Sequence, residues 1–118
     1  MSTQEIAARL HELFQHGKFA QAQEELFADD ASSTESDMSG GRVTVKGREA
    51  LKKKEHDFNG SIEEMHGGYS NPPQVYGNFI FLEMGIDATF KEHGHIVMTE
   101  MCKYEVKDGK IISEEFFY

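Results

Sequence analysis

Two long runs of strict alternation dominate the second half of the chain. In "VYGNFIFLEMGIDATF", residues 75–90, Ile80, Leu82, Met84, Ile86, Ala88 and Phe90 fall on one side. Phe79, Phe81, Glu83 and Asp87 fall on the other. In "HIVMTEMCKYEV", residues 95–106, Met98, Glu100, Cys102 and Tyr104 alternate with Val97, Thr99, Met101, Lys103 and Glu105. A period of two is that of an extended strand, whose successive side chains point to opposite faces. "KEHG" turns the chain between the two runs. "KDG" at 107–109 is a hairpin signal leading into a last strand, "KIISEEFFY". Upstream, "SIEEMHGGY" at 61–69 predicts another strand, and "SNPPQ" predicts a loop, because prolines interrupt pairing.

The first half has a different period. Ser2 and Glu5 have capping-box spacing, and Ile6, Leu10, Leu13 and Phe14 recur at helical intervals. Gly17 is placed to stop that helix. A second helix is expected over about Lys18 to Ala28, with Phe19, Ala22 and Leu26 on one face. "ASSTESD" is weakly periodic and fits a short strand. "MSGGRVTVKG" is a loop holding a short alternating piece at Val43 and Val45. "GREALKKKEHDF" predicts a third helix with Ala50, Leu51 and Phe58 inward, ended by Gly60. Helices followed by a meander of long strands define an α+β fold with the helices against one sheet face. A strongly curved sheet covered in this way leaves a cone whose mouth is a natural small-molecule pocket.

Composition narrows the partners. The 118 residues suit one domain, large enough to bury a core without staples. A single cysteine, Cys102, excludes an intrachain disulfide and a cysteine-built zinc site. The formal net charge of -9 opposes binding to phosphate backbones, so no nucleic acid partner is expected. The one dense basic run, Lys52 to Lys54, is flanked by Glu49, Glu55 and Asp57 and is predicted to be a solvated helix face. "MSTQEIAARL" lacks the basic and apolar regions of a signal peptide, and no apolar run approaches the length of a membrane span. A cytoplasmic protein with no membrane partner is expected.

Three stretches carry a resemblance: "FADDA" (27–31), "VKGREAL" (45–51) and "YEVKDGKI" (104–111). Together with the order of elements they cover nearly the whole chain, and this pattern resembles the nuclear transport factor 2 superfamily, in its SnoaL-like and ketosteroid-isomerase-like branch. The resemblance implies one SnoaL-like domain over residues 1–118. Its fold would be a cone-shaped, strongly curved, mainly antiparallel sheet with three N-terminal helices packed on the concave face, a cystatin-like α+β barrel roll. It implies a catalytic carboxylate four residues past the alanine of "FADDA", which is Glu35. It implies a pocket acid donating to a developing oxyanion on the strand before the final hairpin, which is Glu100. The pocket tyrosine of the first helix corresponds to Leu10, with His11 beside it. Three positions depart from the isomerase pattern: Glu35 replaces an aspartate, Ser36 a proline, and Leu10 the tyrosine.

Each candidate has a bland alternative. Glu35 is either an exposed loop carboxylate or a pocket base whose pKa burial would raise toward neutrality. Glu100 shares a face with Met98, Cys102 and Tyr104, and is either inward or on a half-solvated face beside a lysine. Two inward carboxylates can divide into one acid and one base. His66 is either a satisfied core histidine or, if Ile62, Glu64 and His66 face inward, a partner of Glu35 or Glu100. Dehydratases of the superfamily use such a histidine–carboxylate pair. His93 and His95 could share one side of a strand, but no carboxylate or cysteine is placed in sequence to complete a metal site, so none is expected. Cys102 is expected to be inward as a small apolar group. Leu10, Phe14, Met84, Met98, Cys102, Phe116 and Tyr118 are expected to line the pocket. The last strand carries aromatics on both faces, and the outer one suggests a homodimer surface. The expected function is cofactor-independent acid–base chemistry (isomerase, cyclase or dehydratase type) on a small apolar carbonyl compound. The alternatives are a noncatalytic small-molecule-binding domain or a dimerisation module whose cone is filled by its own side chains.

Overall fold

The computed structural model describes residues 1–118. Helices α1 (Thr3–Gln15) and α2 (Phe19–Leu26) form a hairpin. Ser2 caps α1: its hydroxyl accepts from the Glu5 amide and the Glu5 carboxylate accepts from the Ser2 amide, a reciprocal capping box. Gly17 adopts a φ of 68°, the left-handed conformation that closes the helix end at little steric cost. Ile6, Ala7, Leu10 and Leu13 form the buried stripe of α1.

Strand β1 (Phe27–Ser36) follows α2 without a loop and pairs with β2 (Arg42–Lys46) as an antiparallel hairpin. The second helix was expected to run to Ala28, but it ends two residues earlier. Phe27 is extended, buried, and paired with Ile111, so tertiary pairing overrides local helical tendency. Helix α3 (Arg48–Gly60) follows β2, with Gly47 at φ 99° making the entry. Arg48 and Lys52 both reach Glu24, tying α3 to α2.

The remaining strands are β3 (Ile62–Ser70), β4 (Gln74–Tyr76), β5 (Phe79–Phe90), β6 (Gly94–Lys107) and β7 (Lys110–Phe117). The sheet order is β2-β1-β7-β6-β5-β3, with β4 pairing on β5. All pairings are antiparallel except β1 with β7. The alternating run expected from residue 75 is therefore two strands, β4 and β5, folded back at Gly77 and Asn78. Gly77 takes a φ of 61°, which turns the chain there. Strands β5 and β6 pair over their whole common length, from Phe79 opposite Glu105 to Phe90 opposite Gly94.

The sheet is curved and open, and the helices cover its concave face. Ile80, Leu82, Cys102, Tyr104 and Val106 meet Leu10, Leu13, Leu26 and Leu51 in one core. Alternation predicted the inward set of β5 and β6. In β7 strict alternation would group Ile111 with Ser113 and Phe117, yet Ile111 is fully buried while Phe117 is exposed. A register shift opposite Glu105 and Val106 leaves Ile112 of β7 as the extra residue and turns Ile111 inward. No helix is long and apolar enough to cross a membrane.

Candidate functional site

Above the core, helices and sheet diverge around a cavity of about 630 Å³. Small-molecule sites commonly fall in the range of about 300–1,000 Å³. Its walls are largely apolar, with Phe14 and Phe19 from the helical hairpin and Met84, Met98 and Phe116 from the sheet. Tyr118 closes one side.

Four carboxyl groups line this cavity, namely Glu35, Glu55, Glu100 and Glu114, and one ammonium, Lys54. Strand β1 contributes Glu35 and Ser33, which point the same way because they are two residues apart. Helix α3 contributes Lys54 and Glu55, one turn beyond the buried Leu51. Strands β6 and β7 contribute Glu100 and Glu114. The parallel pairing of β1 with β7 sets Ser33 beside Glu114. Lys54 Nζ lies 3.1 Å from Glu35 Oε1 and donates to Ser33 Oγ at 2.7 Å. It also sits 5.2 Å from the Phe116 ring centroid, within cation–π reach. Ser33 in turn sits opposite Glu114 across the strand pair and holds the pKa of its carboxyl down. A polar chain thus runs Glu35–Lys54–Ser33–Glu114 through an otherwise apolar wall.

Burial sets the protonation of this group. Glu114 is 8 % exposed. Burial pushes its pKa up to about 7 against the lowering pull of Ser33 and Lys54, with the charges of Glu55 and Glu100 adding to the rise. Glu100 is raised by burial first and by the charge of Glu35 second, with Lys54 opposing. Burial also raises Glu55. Tyr104, fully enclosed beneath these acids, is held neutral by burial and by the neighbouring Cys102, Glu114 and Glu100. Gln23 completes the wall: its Oε1 is buried without a hydrogen-bond partner, an acceptor that a ligand hydroxyl or amide would satisfy.

The sequence-predicted residues divide. Glu35 and Glu100 open onto one volume, together with Phe14, Met84, Met98, Phe116 and Tyr118. Leu10 and Cys102 do not line it. Both are fully buried in the core below, where they pack between α1 and the sheet. His66 is also not in the cavity. The strict alternation assumed for Ile62, Glu64 and His66 is broken twice, between Ile62 and Glu64 and between Met65 and Gly67. Each irregularity flips the side chains that follow. Met65 and Gly68 therefore face the cavity, while His66 meets Thr89 and His95 on the outer face.

Lys54 and Glu114 are the residues that sequence reasoning missed. The basic run was read as a solvated face, which describes Lys53, paired with Asp57 along the exposed side. Lys54 instead lies three residues after Leu51 and four before Phe58, on the apolar side of α3. That spacing was the available signal. Strict alternation puts Glu114 on the face of Phe116 and Tyr118, but its burial depends on β1 pairing alongside it.

The fold places the chain in a class, the α+β cones shared by solved nuclear transport factor 2-like and ketosteroid-isomerase-like proteins. A protein of unknown function with a cystatin-like fold from Xanthomonas campestris superposes with a TM-score of 0.80 at 13% identity, over 99% of this chain and 90% of that one. A protein with a ketosteroid-isomerase-like fold from Catenulispora acidiphila, in complex with trimethylamine, superposes at 0.73 with 16% identity, over 97% and 85%. Within that class the SnoaL-like domain family model matches residues 1–118, and the chain belongs to this family. A protein from Mesorhizobium loti, provisionally assigned as a SnoaL-like polyketide cyclase with carbohydrate phosphatase as a bracketed second designation, is 38% identical over 100% of both chains, with a TM-score of 0.92. No functionally curated protein matches the chain by sequence.

Proposed function

We propose that the chain is a cofactor-independent acid–base catalyst acting on a small, largely apolar carbonyl compound, by isomerisation, cyclisation or dehydration. The observation that carries this reading is the convergence of Glu35, Glu100 and Glu114 on one apolar cavity, with burial raising the latter two. As a carboxylate, Glu35 would take a proton from carbon next to the carbonyl. Protonated Glu114 or Glu100 would donate a hydrogen bond to the oxygen where charge develops. Lys54 would orient Glu35 and stabilise a developing enolate. The polyketide cyclase assignment of the Mesorhizobium loti relative supports chemistry of this kind. The phosphatase designation fits less well, since Lys54 is the one cationic side chain lining the cavity and offers little charge to hold a phosphate ester.

The test is deuterium exchange at the acidic carbon of a panel of small cyclic and β-dicarbonyl compounds, followed by proton NMR. Glu35→Gln is expected to lower the exchange rate by about 10²–10⁴-fold, the usual worth of a positioned general base. An unchanged rate would remove Glu35 from the mechanism.

A second reading, a noncatalytic small-molecule-binding domain, is favoured by the Lys54 ion pair, which engages one oxygen of Glu35. It predicts ligand retention without turnover, and tolerance of Glu35→Gln. The filled-cone alternative is disfavoured by the volume of the cavity. In either functional reading we propose a homodimer through the outer sheet face around the paired, exposed Met101 and Phe117. Met101→Glu is expected to give a monomer by sedimentation equilibrium, and a dimer that survives it would place the contact elsewhere.

A further inference from the structure

We propose that the outer face of the sheet carries a divalent transition-metal site built from His66, Asp87 and His95. One ligand atom from each lies within 4.8 Å of the other two. The three residues come from three adjacent strands, β3, β5 and β6, near the turn that joins β5 to β6. They are distant in sequence, and only the pairing unites them. His95 Nε2 is 2.6 Å from Asp87 Oδ1. The His66 and His95 rings meet edge to face with centroids 5.2 Å apart.

The local backbone places His66 for this role. The irregularity between Met65 and Gly67 turns it out of the alternation and onto the face of Asp87 and Thr89. Its other surroundings are those of a metal-binding imidazole. His66 Nδ1 is 3.1 Å from Glu64 Oε2, so a carboxylate that is not itself one of the three ligands can accept its proton. With the proton on Nδ1, Nε2 presents a free lone pair. In that tautomer the Thr89 hydroxyl, 2.7 Å from Nε2, is the donor to it. A metal would take the place of the hydroxyl proton.

The donor set selects the metal. Two imidazole nitrogens and one carboxylate oxygen suit zinc, copper, nickel or cobalt. Calcium and magnesium prefer all-oxygen sites. With metal–ligand bonds of about 2.0–2.1 Å, tetrahedral donors sit about 3.3 Å apart. The cluster therefore needs side-chain rotations only, which these partly exposed residues can make. Three protein ligands leave a fourth position to water, the pattern of an open site. The site lies on the opposite face of the sheet from the acid-lined cavity, so it stands independently of the proposed catalysis.

The experiment uses tag-free, chelator-stripped full-length chain titrated with zinc by calorimetry and with cobalt by visible absorption. One metal per chain is expected, together with the intense visible bands of low-coordinate cobalt. His66→Ala and His95→Ala are each expected to weaken zinc binding by at least tenfold, and Asp87→Asn to weaken it measurably. His93→Ala and His56→Ala are expected to bind as the parent does. Circular dichroism melts of the metal-free variants establish that they fold. Failure of the folded parent to bind zinc at millimolar concentration would overturn the site. So would binding that survives in both His66→Ala and His95→Ala, or that is lost in His93→Ala alone.

Discussion

Replacing Glu114 with glutamine should change how stability depends on pH, with a sign and size set by its burial. The carboxyl moves from an ordinary value of 4.5 to about 7 on folding. Each tenfold change in proton affinity is worth about 1.4 kcal/mol, so the ionised form costs about 3 kcal/mol in the folded state. Between about pH 4.5 and 7 the folded chain holds a proton that the unfolded chain has released. Stability contributed by this group is therefore fully present below that window and lost as pH rises through it. Glutamine is nearly the same shape as protonated glutamate and does not titrate. Urea denaturation of parent and Glu114→Gln at a series of pH values isolates Glu114 and the acids coupled to it, because titrations uncoupled from it cancel in the difference. The variant should match the parent within about 1 kcal/mol near pH 4.5 and gain about 3 kcal/mol on it by about pH 8.5. A difference that stays flat across this range would refute the argument. So would a parent that gains on the variant with rising pH, since the buried carboxylate would then be better solvated by Ser33 and Lys54 than by water.

Two more outcomes follow from the same geometry. Lys54→Met removes the one positive charge that lowers Glu114, Glu100 and Glu55. The Glu114 midpoint, followed by carbon NMR of its carboxyl, should rise above that of the parent; an unmoved midpoint would mean that the ammonium does not act there. Leu51→Ala empties the main anchor of α3, a side chain 1 % exposed, and should cost about 2–5 kcal/mol in urea unfolding. A cost under about 1 kcal/mol would mean that α3 repacks over the gap.

The apolar periods of the chain settled a good deal by themselves. The period of two fixed the inward faces of β5 and β6 because those strands pair along an unbroken ladder. The helical period fixed α1, whose capping box and terminal glycine are local chemistry. Glu35 and Glu100 were singled out through the family resemblance, and both line the cavity. What the sequence could not supply was anything that depends on where a strand slips. A one-residue irregularity reverses every later side chain. Such slips turned His66 outward to meet Asp87 and His95, and Ile111 inward to the core. The same holds for groups joined across long chain separations. Lys54 reaches Ser33 and Glu35 because α3 packs over β1, and Glu114 becomes a buried acid because β1 pairs beside β7. Local periodicity decides which face a residue shares with its neighbours in sequence. Which distant charge it meets, and how dry that meeting is, belongs to the packed sheet and helices alone.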